Sequence, residues 1–141
     1  MEFLRANLDL GVMGLLGFMS FVMITFVIER YLYFARVDLR AFDDPDDLDL
    51  MLTRHLTVIA TIGANAPYVG LLGTVLGILI AFHDIGQAGA IETGTMMLGL
   101  ALALKATALG LVVAIPSLVF YNALLRRADV LKARWRKERR G

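Results

Sequence analysis

No cysteine occurs anywhere in the 141 residues, which excludes thiol catalysis, disulfide staples and Cys-ligated metals or clusters. Proline is nearly as scarce, with three, and there is a single tryptophan. Charge is the most informative deficit. The chain carries 14 basic and 13 acidic residues for a net charge of +1, yet long stretches have none. Nineteen residues between Asp9 and Glu29 and 27 between His55 and His83 are uncharged, and the 33 from Thr93 to Leu125 contain only Lys105. These runs hold 79 residues and one charge, which leaves 26 charges for the other 62 residues. Apolar runs of about 18 residues or more cross a hydrocarbon core of roughly 30 Å, and all three qualify. A soluble enzyme, a nucleic-acid-binding domain and a disulfide scaffold are thereby excluded. What remains is a small all-α integral membrane protein with three transmembrane helices.

What is present sets the topology. Basic flanks stay on the cytoplasmic side. Arg5 alone precedes the first run, four arginines lie between Glu29 and His55, none lies between His83 and Glu92, and eight basic residues follow Leu125. These counts place the N-terminus outside and the basic tail inside. The first run is longer than a signal-peptide core and lacks a small-residue cleavage pattern, so it reads as a retained helix. Asp43-Asp44-Pro45-Asp46-Asp47 reads as a helix start with Asp44 as N-cap and Pro45 at the first helical position. The sharper alternative, a calcium loop, lacks the alternating carboxylates and central glycine it requires. The expected elements are helix one over about 8–34, a cytoplasmic loop over about 35–44 and helix two over about 45–83. A periplasmic loop over about 84–92 and helix three with its tail over about 93–141 complete the chain. The third run alone rises roughly 50 Å, so helices two and three extend into the cytoplasm. Trp135 is expected to pack on that projection.

Small residues let helices approach closely in lipid. Helix two carries Ala66, Gly70, Gly73, Gly77 and Ala81 as a ridge, helix three carries Ala106, Gly110 and Ala114, and helix one has Gly11, Gly14 and Gly17. So many small faces point to a homo-oligomer, with tight packing inside one chain as the alternative. On helix three, Thr107, Ala114 and Tyr121 share a face flanked by Ser117 and Asn122, and Thr74 lies beside the ridge of helix two. Such a stripe fits a narrow ion path or a socket for a partner helix, although a lone intramembrane hydroxyl usually bonds the carbonyl one turn back. Lys105, the one ionisable group within a span, points about 160° away from Thr107 and lies deep, about 12 residues from the start of its helix. It reads first as a structural anchor or partner contact and second as an ion-transfer group. A proton path normally needs a titratable acid, and these spans have none. No nucleophile, base and oxyanion set is present, and His55 and His83 stand alone at membrane boundaries as solvated residues. The tail suits anionic lipid rather than nucleic acid.

The stretch Ala66-Pro67-Tyr68-Val69-Gly70-Leu71-Leu72-Gly73-Thr74-Val75-Leu76-Gly77-Ile78 resembles the second-helix signature of the ExbB/TolQ proton-channel family. The segment 104–122, LKATALGLVVAIPSLVFYN, is similar to its third-helix signature, and Ile28-Glu29-Arg30 resembles the end of its first helix. The resemblance covers essentially the whole chain. It implies a homo-oligomeric ring, a pentamer, in the bacterial inner membrane around a dimeric single-pass ExbD/TolR-type partner. That partner's membrane aspartate supplies the missing carboxylate. The resemblance further implies that Thr74 and Thr107 are pore-facing hydroxyls near that aspartate, that a TonB-type protein transmits the work to outer-membrane import, and that no cofactor or metal takes part. Two departures matter. Leu102 stands where better-known members have a glutamate, with Lys105 one turn further on. The segment between Glu29 and His55, only 25 residues, is also short, which favours a compact ExbB over TolQ or a MotA-like stator. TolQ-type action in envelope integrity and a passive membrane scaffold are the alternatives.

Overall fold

The structure is a computed structural model and describes residues 2–89 and 93–141. Four helices account for nearly all of it: α1 (Glu2–Arg36), α2 (Pro45–Leu52), α3 (Leu56–Ala88) and α4 (Thr93–Arg140), with a 3₁₀ turn at Leu39–Ala41. Three of them, α1, α3 and α4, are long and apolar enough to cross a membrane.

The expected start of helix two is present, but the helix is not continuous from 45 to 83. Asp44 accepts from the Asp46 amide, Pro45 opens α2, and α2 then ends after eight residues at Leu52. His55 adopts a left-handed φ of 70° and starts α3 afresh. Such a backbone is costly for a residue with a Cβ and needs support. Phe26 supplies part of it, with its ring stacked 4.4 Å from the His55 imidazole. Arg30 supplies the rest: this buried guanidinium donates to the carbonyls of Met51 at 2.6 Å and Leu52 at 3.3 Å, closing the C-terminus of α2. The side chain of Glu29 holds the other edge of the guanidinium at 2.5 and 2.6 Å, and Tyr33 packs beneath it. His55 is therefore half-buried and packed rather than a solvated boundary residue, whereas His83 is exposed.

At the opposite end α3 runs past the expected stop at 83 to Ala88, and Gly89 ends it with φ 70°. No proline lies between the expected stop and Gly89, and Asp84 within the extension is held by Arg5 of α1 at 3.2 Å. Ala90, Ile91 and Glu92 of the expected outer connection lie outside the described residues. At the start of the chain α1 is also longer than expected, beginning at Glu2.

Dense packing concentrates at the end carrying the basic tail. There Leu48, Leu52, Leu56 and Ile59 meet Leu124, Ala128, Leu131 and Trp135, all buried. Trp135 donates its indole N–H to the Phe42 carbonyl at 2.9 Å, so it packs as expected. Toward the other end the helices bury mainly their small residues, while Phe18, Leu72 and Val112 face outward. Apolar side chains turned outward suit a lipid environment or a protein neighbour in it.

Candidate functional site

The closest approach of two helices creates the site. A Cβ added to Gly70 would lie 2.5 Å from the Ala106 carbonyl oxygen, and one added to Gly110 would lie 2.6 Å from the Ala66 carbonyl oxygen. Backbone therefore meets backbone where α3 crosses α4. Gly73 and Gly77 extend the contact against Ala106 and Ala103, and Gly99 faces Ala81. The ridges of α3 and α4, with Ala114 also buried, are used within one chain, so they carry no information about self-association. Gly11, Gly14 and Gly17 have no neighbour within 4 Å of an added Cβ.

One turn along from this crossing, Thr74 of α3 and Thr107 of α4 are brought together, their hydroxyls directly bonded. The Thr74 hydroxyl donates to the Ala103 carbonyl at 2.8 Å and lies 3.2 Å from the Gly70 carbonyl. A hydroxyl has one proton and two lone pairs. With the Thr74 proton engaged by carbonyls, the bond between the threonines takes its proton from Thr107. Ala103 is also the residue four before Thr107, so Thr74 occupies the carbonyl that Thr107 would ordinarily back-bond. The outcome is directional. Thr74 is buried at 7% exposure, while Thr107 is half-buried and has lone pairs free to accept from a donor outside the chain.

The other candidate residues are not part of this centre. Ser117 is fully buried and donates to the Val113 carbonyl at 2.9 Å, an ordinary back-bond. Tyr121, 14 residues beyond Thr107, packs at the edge of the core about 21 Å along the helix. Thr61 and Asn65 likewise bond carbonyls one turn back on an exposed face. Lys105 is exposed and has no ion pair among the described residues. Its height relative to α1 follows from its neighbour. The neighbouring Ala106 packs with Gly73 at the level of Val12, three residues from Asp9, and a helical side chain leans toward the helix N-terminus. Lys105 thus stands within about a turn of the level of Asp9, where the uncharged run of α1 begins.

At the basic end, ion pairs fix the projecting helix. Lys132 donates to Asp49 at 2.7 Å and pairs with Asp129 at 3.4 Å, and Arg139 holds Asp43 at 2.7 Å. The hydrogen bond to Asp49, with that to Asp129, raises the Lys132 ammonium above the usual lysine range. Three residues central to this architecture, Arg30 and the paired Arg5 and Asp84, count in the composition only as boundary charges. Among the described residues no three His, Asp or Glu side chains converge on a metal position.

Fold and site together define a polytopic helical membrane protein whose interhelical polar centre is built from hydroxyls alone. Residues 45–137 match the MotA/TolQ/ExbB proton channel family, and the chain belongs to that family. It is 54% identical to a biopolymer transport protein ExbB of Helicobacter pylori over 136 residues, covering 96% of this chain and 94% of the relative. It is also 54% identical to a biopolymer transport protein ExbB of Aquifex aeolicus over 127 residues, covering 90% and 86%. A Tol-Pal system protein TolQ of Pseudomonas aeruginosa matches at 40% over 84 residues, covering 60% of this chain and 36% of the relative. The full-length agreement is with short ExbB proteins.

Proposed function

We propose that the chain is the ExbB-type subunit of an inner-membrane proton-motive-force transducer that energises TonB-dependent outer-membrane import. The observation that carries this reading is the Thr74–Thr107 pair, an acceptor site inside the segment matched to a proton-channel family. Subunits assemble as a homo-oligomeric ring, with N-terminus periplasmic and basic tail cytoplasmic, around a single-pass partner bearing a membrane carboxyl. In its neutral form that carboxyl donates its O–H to Thr107 Oγ1. In its charged form it finds no donor there and is less favourably held. The site thereby distinguishes the two protonation states without titrating itself. Lys105 contributes an anchoring charge near the periplasmic boundary.

Gentle extraction of a C-terminally tagged chain, followed by native mass measurement and identification of co-purifying proteins, tests this reading. A ring holding a single-pass protein with one membrane carboxylate is expected, accompanied by TonB. Tol components in place of TonB would select the TolQ-type role that the Pseudomonas relative suggests. A bare oligomer would favour a passive scaffold.

A further inference from the structure

The α4 tail has two chemically distinct sides. One side, with Leu124, Ala128, Leu131 and Trp135, is buried against α2 and the loop before it. At 100° per residue, Arg126, Lys137 and Arg140 fall on the opposite side and Arg134 on its flank, about 90° from the buried face. Arg126, Arg134 and Lys137 line a shallow groove floored by Val130 and Ala133, and Arg140 continues the groove beyond them. Asp129 at its margin is already paired with Lys132. Among the described residues none of these four cations has a carboxylate within ion-pair distance.

The matching surplus lies on α2, where Asp46 borders a separate cleft with Lys132 and Arg136. Asp43 and Asp49 are engaged by Arg139 and Lys132, but Asp46 and Asp47, in the first turn of α2, are exposed and have no cation among the described residues. The bonds Asp43–Arg139 and Asp49–Lys132 also set heights: Asp46 and Asp47 stand level with the stretch from Arg134 to Lys137. Subunits related by rotation about the membrane normal keep each residue at its height. Patches of opposite sign, at one level and on different faces of a subunit, suit a head-to-tail, ring-closing contact.

We propose that the basic groove of α4 is the docking surface for the acidic first turn of α2 in a second copy of this chain. The inference rests on the ring reading above and names the face through which neighbours meet. Anionic lipid is the weaker occupant, because Arg134 lies nine residues past Leu125, about 14 Å along the helix. The headgroup layer is only about 5–8 Å deep on each side.

The absence of native cysteine makes the test clean. Two differently tagged copies, one with Asp47→Cys and one with Arg134→Cys, are co-expressed and mildly oxidised in membranes. A disulfide-linked dimer carrying both tags is expected, and neither variant alone should form one. In parallel, Asp46→Lys with Asp47→Lys should shift the native mass toward smaller species, and adding Arg134→Glu with Lys137→Glu to the same chain should restore it. An oligomer of unchanged mass that yields no cross-link, or charge reversal without rescue, would overturn the proposal while leaving the ring intact. Oligomer loss on stripping anionic lipid, with no cross-link, would assign the groove to headgroups and overturn it too. A monomeric mass for the unaltered chain would remove the ring reading itself.

Discussion

Thr107 and Arg30 show how much can depend on a single polar atom in a helical membrane protein. Thr107→Val keeps the shape of the side chain but removes both the bond to Thr74 and the free acceptor. A neutral hydrogen bond contributes about 0.5–1.5 kcal/mol, up to about tenfold in an equilibrium or rate. Energy-dependent import should therefore fall by up to about tenfold in Thr107→Val and stay near normal in Thr107→Ser, as measured by uptake in cells matched for subunit level. Arg30→Met leaves the Met51 and Leu52 carbonyls without their donor, at about 1–3 kcal/mol for each buried group. Thermal unfolding in detergent should move down by a corresponding amount, with early proteolytic cleavage near Thr53. Arg30 was in fact legible in the sequence. Val12, Leu16, Met19, Met23, Val27, Arg30 and Phe34 follow one helical face at spacings of four, three, four, four, three and four, so the arginine lies on the buried register. What sequence could not supply was its acceptors, which lie 21 and 22 residues away on another helix.

The helices themselves followed from the uncharged runs, because a bilayer leaves few alternatives to a long helix. The cap of α2 was equally readable, since Asp-Pro-Asp-Asp specifies a helix start locally. The break at Thr53-Arg54-His55 was not. Nothing in those residues forbids helix, and the left-handed His55 is sustained by Phe26 and Arg30 from α1. The glycine ridges illustrate a subtler limit: spacing revealed that backbones approach, and only the fold shows that the partner is in the same chain. The crossing predicts its own sensitivities. Gly70→Ala or Gly110→Ala places a Cβ against backbone oxygen, so each should cost about 1–3 kcal/mol and separate Thr74 from Thr107. Gly14→Ala meets nothing and should stay within about 0.5 kcal/mol, with unfolding midpoints in detergent comparing all three. For the α2–α4 link, the raised pKa of Lys132 gives a definite sign. A group whose pKa is higher folded than unfolded stabilises below its unfolded value and loses that contribution as pH rises through the folded one. Protection of the segment around Asp49 from proteolysis should persist through neutral pH and fall only above the ordinary lysine value of 10.5.

Across the whole molecule, the packed core lies at the basic end, while the spans expose apolar surface and hold one acceptor centre between α3 and α4. The chain is thus most densely packed at the end carrying the basic tail and turns apolar side chains outward along the three spans. The charge pattern made three spans readable, and the signature around Gly70 and Thr74 made the family readable. The donor-to-acceptor direction of the threonine pair became visible only once the two helices were placed side by side. Proton flux through the purified, reconstituted complex tests the central claim most directly. Vesicles holding the unaltered chain with its co-purified partner should acidify under an imposed potential. Those holding Thr107→Val should do so up to about tenfold more slowly, and those holding Thr107→Ser nearly as fast as the unaltered complex. Equal flux through the valine and unaltered complexes would contradict the account and remove the threonine pair from the proton's route.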